Sequence, residues 1–350
     1  MKDIEIAGRP IGPGRSPYVI AELSGNHNGE LGRAIEILEA AVDAGADAVK
    51  LQTYTADTIT IRSDRPEFRI RGGLWDGHTL YELYDWAHTP WDWHGPLIDR
   101  GRELGVAVFS SPFDPTAVDY LVELEAPAYK VASFEIVDLP LIQLMAATGK
   151  PVIMSTGIAT LPEIERAIAA AEDAGCQQLL LLHCVSGYPT PLEDCNLQTI
   201  PDLARRTGLQ VGLSDHTLGS TAPVTAVALG ATVIEKHITL KRTDGGPDAA
   251  FSLEPDEFKS MVNAVRDGWA ALGRISYDLK ESELATRRFR RSIYVTTDLP
   301  AGATISETNV RSIRPANGLS PHLLPKIIGR RTKVSIAAGT PLSLEQLEDG

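Results

Sequence analysis

The chain has 350 residues, room for one large domain and a small one, and its 43% hydrophobic content supports a substantial core. A net charge of −13 argues against non-specific binding to nucleic acid or an anionic membrane, so an anionic substrate would need a local cationic pocket. No apolar run approaches the roughly 18 residues that span a bilayer, Met1–Glu5 opens no signal-peptide core, and Cys176, Cys184 and Cys195 lack disulfide or zinc-knuckle spacing, which reads as a cytoplasmic, reducing location.

In chain order, short apolar runs recur between helical stretches: Tyr18–Ala21, Ala48–Leu51, Val106–Phe109, Ala128–Val131, Val152–Met154, Leu179–Leu182, Gln210–Leu213 and Ala231–Ile234. Helical spacing fills the gaps, as in Leu31–Ala44, Pro96–Leu104, Leu161–Ala174 with Thr160 as its N-cap, and Thr221–Gly230. Eight such units within about 270 residues predict a (β/α)₈ TIM barrel. The polar residues follow the same register. Off the strand ends come Glu22, then Lys50 and Gln52, Ser110 and Ser111, Lys130 with Ser133 and Glu135, and Ser155 with Thr156. His183 with Ser186 and Tyr188, then Ser214-Asp215-His216-Thr217, and Glu235-Lys236-His237 complete the ring. Barrel active sites lie at this edge, so ionisable groups at nearly every strand end indicate a site.

Residues 55–94 break the regular spacing and carry Trp75, Trp86, Trp91 and Trp93 with Tyr81, Tyr84, His88 and His94. A long aromatic loop at this edge is expected to act as a lid or specificity element. After Gly273 the character changes. Residues 1–275 are assigned to the barrel, 276–291 to a charged linker containing Arg287-Arg288-Phe289-Arg290-Arg291, and 292–350 to a compact β module. A core that small is marginal alone and is expected to pack on the barrel or on a second subunit.

His216 and His237 follow adjacent strands of one strand–helix–strand unit, so both imidazoles fall on one edge of the sheet. Flanked by Asp215 and Glu235, they form a candidate divalent-metal site with open positions for substrate. Lys50 and Lys130 interrupt apolar strands. With Ser111, Ser133, Ser186 and Ser214 they can hold a phosphate or carboxylate, or one of them can form a Schiff base. The metal pair favours a metal-assisted condensation. Glu22, Glu135 and Asp248 are the candidate acid–base or hydroxyl-binding carboxylates.

The stretches Ile20–Asn28, Gly45–Gln52, Ser110–Phe113, Tyr129–Ser133, Ser155–Gly157, Gly212–Thr217 and Glu235–His237, with Arg314-Pro315 and Gly318, resemble the sialic acid synthase family over essentially the whole length. The C-terminal module resembles its antifreeze-like (SAF, β-clip) domain. The resemblance implies condensation of phosphoenolpyruvate with an N-acetylated aldose, giving a nine-carbon 2-keto acid and phosphate, with manganese as the metal and magnesium or cobalt as alternatives. It implies that His216 and His237 bind the metal and that Lys50, Ser111, Lys130, Ser133, Ser186 and Ser214 hold phosphoenolpyruvate, with Ser155 and Glu235 also among the substrate-binding residues. Glu135 would lie beside the reacting carbons, Gln52, Tyr188 and Asp248 would contact the sugar, and Arg314 would come from the partner in a domain-swapped homodimer. Leu74–Gly77, Thr79–Tyr84 and Ala87–His94 are similar to the pseudaminic branch, whose acceptor is 2,4-diacetamido-2,4,6-trideoxy-L-altrose, rather than to the neuraminate or legionaminate branches.

Overall fold

The computed structural model describes residues 3–349. The chain divides into two compact units, one running to Gly273 and one from Arg274 onward.

The first unit begins with an antiparallel hairpin absent from the sequence reading, β1 (Ile4–Ile6) and β2 (Arg9–Ile11), turning at Ala7 and Gly8, both at positive φ. A closed parallel barrel follows, of β3 (Tyr18–Glu22), β4 (Ala48–Thr53), β5 (Ala107–Pro112), β6 (Tyr129–Val131), β7 (Val152–Ser155), β8 (Leu179–Cys184), β9 (Gln210–Asp215) and β10 (Val233–His237), with β10 closing onto β3. All eight strands read from the sequence are present. The helices are α1 (Leu31–Asp43), α2 (Ala56–Ile59), α3 (Leu80–Ala87), α4 (His94–Leu104), α5 (Pro115–Glu123), α6 (Leu139–Ala147), α7 (Leu161–Asp173), α8 (Thr199–Thr207), α9 (Thr221–Ala228) and α10 (Pro255–Leu272).

Local sequence explains the helix starts. Thr160 and Glu163 form a capping box at α7, and Pro162 sits in its first turn, where its missing N–H is not needed. The buried face of α10 is Phe258, Met261, Val262 and Val265, the i, i+3, i+4, i+7 spacing of an amphipathic helix.

Strand alternation divides the barrel core in two. Outward residues such as Val19, Val49, Val108 and Leu181 pack against the helices. Inward residues Tyr18, Ile20, Ala48, Phe109, Ile153, Leu182 and Val233 fill the N-terminal half of the barrel, joined by Ile4, Ile6 and Ile11 of the hairpin. The hairpin therefore stoppers that end.

The second unit pairs β11 (Ser292–Val295) with β12 (Val310–Ile313), followed by one short helix, α11 (Leu324–Ile327). Its own core comprises Ile293, Val295, Leu299, Ile305, Val310, Ile327, Ile336, Leu342 and Leu347.

Candidate active site

The alternation that fills the lower barrel with apolar groups ends in a ring of polar ones. Two residues beyond Ile20, Ala48, Phe109, Ile153, Leu182, Gly212 and Val233, the inward positions carry Glu22, Lys50, Ser111, Ser155, Cys184, Ser214 and Glu235. Lys130 lies on β6 between Tyr129 and Val131. A cavity of about 510 Å³ opens above this ring.

Its floor is a chain of opposite charges. The Lys50 ammonium lies 2.5 Å from a Glu22 oxygen and 3.7 Å from Glu235, and Lys130 lies 3.9 Å from the same Glu235 oxygen. Gln52 donates to Glu22 at 2.9 Å, Ser214 to Glu235 at 3.2 Å, and Lys50 to Ser111 at 3.4 Å. Lys130 donates to Ser155 Oγ at 2.6 Å and to the Val131 carbonyl at 3.1 Å. Burial works against the charge of Lys50, but Glu22 and Glu235 outweigh it and raise its pKa. Burial dominates at Lys130 and lowers its pKa. Burial also pushes Glu22 up to about 7 against the pull of Lys50. Glu235 goes the other way: Lys130, Lys50 and His216 overcome its burial and hold it below the usual carboxylate range. Four ionisable groups in so dry a place survive only as a mutually compensating set. An arriving anion would find two buried ammonium groups with hydroxyls beside them.

Gly157 shapes the serine side. A side chain there would overlap the Ser186 hydroxyl and stand 2.6 Å from Ser133 Oγ, so its absence lets two hydroxyls converge. Ser133, Ser155 and Ser214 line the cavity with Glu135. The Glu135 carboxyl is pushed up to about 7 by burial, with Lys130 pulling only partly against it. Its Oε2 has no hydrogen-bond partner.

Two histidines also line the cavity, ring centroids 5.3 Å apart. His216 directs Nδ1 at the Val185 carbonyl, 3.0 Å away, which makes that nitrogen the donor and leaves Nε2, in the neutral ring, as the nitrogen for a metal. His237 is buried with an unpartnered Nδ1, and burial holds its pKa well below the ordinary value, so the ring is neutral. A pair of imidazoles with free nitrogens fits a divalent cation. Among the described residues no three His, Cys, Asp or Glu side chains form a metal cluster, so remaining coordination positions would fall to water or substrate oxygens.

The expectation that Asp215 flanks this pair is corrected. Asp215 faces the other side of its strand, where Lys236 Nζ approaches it at 2.5 Å and also donates to the Thr217 carbonyl. His183 likewise faces away and bonds the Cys195 carbonyl at 2.7 Å. The inward residue at that strand end is Cys184, whose Sγ lies 3.8 Å from His216 Nδ1 and 4.0 Å from Ser186 Oγ. Counting alternation from Leu180 and Leu182 would have found it.

Residues 55–94 build the remaining wall. Thr79 and Glu82 cap α3, and Gly25 lets that helix approach: a Cβ there would stand 3.0 Å from the Ala87 carbonyl. Ile59, Ile70, Trp75, Leu80, Leu83 and Tyr84 face the cavity, with Phe113 and Tyr188. Trp75 Nε1 bonds the Pro247 carbonyl at 2.8 Å and its ring packs on Tyr188. Of the four tryptophans here, Trp75 alone lines the cavity. Trp91 instead stacks on Tyr120 and donates to the Tyr54 carbonyl. Asp248 lines the cavity next to Pro247, its carboxyl pushed up by burial. Arg314 is exposed in the second unit.

Residues 37–277 match the NeuB family, and residues 290–348 match the SAF domain. The pseudaminic acid synthase of Campylobacter jejuni subsp. jejuni serotype O:23/36 (strain 81-176) is 45% identical over 325 residues, covering 93% of this chain and 95% of that protein. The N,N'-diacetyllegionaminic acid synthase of Legionella pneumophila subsp. pneumophila (strain Philadelphia 1) is 36% identical over 346 residues, 97% of each chain. Among solved structures, the N-acetylneuraminic acid synthetase of Leptospira borgpetersenii serovar Hardjo-bovis matches with a TM-score of 0.73 at 31% identity, over 81% of this chain and 95% of that one.

Proposed function

Because this chain belongs to the NeuB family, we propose that it condenses phosphoenolpyruvate with 2,4-diacetamido-2,4,6-trideoxy-L-altrose and water to give pseudaminic acid and phosphate. One observation carries this reading: a single cavity is lined by a floor of buried lysines and hydroxyls, an apolar wall and two imidazoles. The floor suits a small, highly charged anion. The wall suits a 6-deoxy sugar with two acetamido methyls, since apolar contact contributes about 25 cal/mol per Å². The identity of 45% to a pseudaminic acid synthase, against 36% to a legionaminic acid synthase, favours the same acceptor.

Lys50 and Lys130 would hold phosphoenolpyruvate with Ser111, Ser133, Ser155, Ser186 and Ser214, while Glu22 and Glu235 keep both lysines in place. Lys130 is enclosed by Ser155, the Val131 carbonyl and Glu235, the surroundings of an anion donor rather than of an amine presented to a carbonyl. Gln52, Tyr188 and Asp248 would orient the sugar aldehyde over C3 of the enol, joined by Arg314 of a swapped partner. His216 and His237 would hold a divalent ion, manganese foremost, which when bound supplies Lewis-acid polarisation of the acceptor carbonyl. The C3–C1 bond forms as the acceptor's carbonyl oxygen takes up a proton, C2 becomes electron-poor, and water adds there while Glu135 takes its proton. The C2–O bond to phosphate then breaks as the new C2 hydroxyl passes its proton to the departing phosphate, leaving the 2-keto acid. A carboxylate beside C2 both stabilises the developing positive charge and accepts the proton.

The direct test is phosphate release with manganese, phosphoenolpyruvate and one of three acceptors: the altrose sugar, its D-manno legionaminate counterpart, or N-acetylmannosamine. Turnover confined to the altrose sugar supports the proposal. Turnover confined to either other acceptor moves the chain to that branch.

Two variants probe the two ends of the cavity. Gly157→Ala is expected to raise the KM for phosphoenolpyruvate about tenfold or more, since forcing a methyl into packed surroundings costs about 1–3 kcal/mol, and to leave the acceptor KM near its wild-type value. An unchanged phosphoenolpyruvate KM would remove Gly157 from the anion site. Trp75→Ala should raise the acceptor KM about tenfold and narrow the preference for the diacetamido sugar. Trp91→Phe should leave that preference intact. Equal specificity losses in both would mean that the aromatic segment acts as a folding unit rather than through Trp75.

A further inference from the structure

Neither histidine imidazole is held by a carboxylate, the usual partner of a metal-binding ring. His216 has the Val185 carbonyl on Nδ1, and His237 has no hydrogen bond on Nδ1 at all. What both rings share is Phe251. Its side chain is 1% exposed and meets the His237 ring edge to face at 4.9 Å, the His216 ring edge to face at 5.9 Å, and the Tyr188 ring at 5.2 Å. Tyr188 closes the group by packing on His216 at 4.5 Å.

The backbone that carries Phe251 is tied to the same strand end. The Leu253 N–H donates to the carbonyl of His237 at 3.0 Å, and the Thr239 N–H donates back to the Leu253 carbonyl at 3.0 Å. Ser252 Oγ donates to the Asp248 carbonyl at 2.7 Å, and Asn26 Nδ2 joins Ser252 Oγ to the Ile238 carbonyl, each at 2.8 Å. Phe251 is thus three residues from Asp248, clamped to the end of β10, and in ring contact with both imidazoles.

We propose that Phe251 is a positioning residue for the metal pair, an aromatic buttress that fixes the rotation of the His216 and His237 rings and links them to the acceptor side of the cavity through Tyr188. Edge-to-face aromatic contacts have an angular preference, which substitutes for the missing hydrogen bonds. Without the ring, the imidazole of His237 would rotate in the space vacated, and the two nitrogens would rarely face one ion together. The inference rests on the two-histidine metal site proposed above.

The test is a manganese titration of metal-free protein, with the free hexaaqua ion followed by electron paramagnetic resonance, on wild type, His237→Ala, Phe251→Leu and Phe251→Met. Wild type is expected to bind one ion per chain and His237→Ala to lose it. Failure of either result overturns the metal site itself. With both in hand, Phe251→Leu and Phe251→Met are expected to bind manganese about tenfold more weakly or worse, the range seen when a supporting residue of a metal site is removed, while still melting cooperatively in chelator. Wild-type affinity in both variants, with only a lowered melting temperature, would overturn the proposal and leave Phe251 as core. Should neither variant fold, the imidazole NMR signals of metal-free wild type decide. One narrow set per ring supports a fixed pair, and doubled or exchange-broadened sets overturn it.

Discussion

His237→Ala is expected to lower turnover about a hundredfold or more while the barrel stays folded. Polarisation of a carbonyl by a bound ion stabilises a transition state by several kcal/mol, and each 1.4 kcal/mol is a factor of ten in rate. The side chain is buried but its Nδ1 satisfies nothing, so removing it strands no hydrogen-bond partner there. The stability loss is then confined to packing against Phe251 and His216. The measurement pairs a melting curve with phosphate release under manganese and under chelator. Wild-type turnover that survives thorough chelation would remove the metal from the reaction altogether.

Glu135→Gln should produce a second large loss, about 10²–10⁴ in kcat, the usual contribution of a positioned proton acceptor. Its signature is the pH profile. Burial raises the Glu135 carboxyl to about 7, so below that pH the group is mostly protonated and cannot take the proton of the incoming water. Wild-type kcat/KM should therefore rise about tenfold per pH unit up to about 7 and level off above it. Glu22 is pushed into the same range, which makes the variant decisive. In Glu135→Gln the residual activity should lose this limb. A limb that persists unchanged would assign it to Glu22 or another group and take Glu135 out of the proton transfer.

The barrel and the level of its active edge were legible because alternation and strand–helix spacing are properties of single segments. Lys50, Lys130, Ser155, Ser214 and Glu235 fall on inward positions that an alternating pattern identifies once the strands are drawn. Side-of-strand errors arose at the last one or two residues. Asp215 and His183 are chemically attractive and sit beside the inward Ser214 and Cys184, but one step along a strand turns a side chain to the opposite face. What residue type alone could not reveal was partnership. Trp75 and Trp91 are alike in a list of residues, and only the fold sends one to Pro247 and the cavity and the other to Tyr120. Phe251 carried no signal at all, since an aromatic next to apolar residues reads as core. The β1–β2 hairpin escaped because three-residue strands are too short for periodicity to register.

That hairpin has a consequence for traffic. Ile4, Ile6 and Ile11 pack into the lower end of the barrel, so the cavity above the lysine floor is closed from below. The lysine floor lies nearly out of reach of solvent, Lys130 being 1% exposed, whereas the Trp75 wall borders the entrance. A molecule bound on the floor is therefore expected to enter before one lodged against the wall. On the proposed reaction, occupancy is expected in sequence, the small anion first and the bulky sugar second, with phosphate released only after the nine-carbon product has cleared the wall.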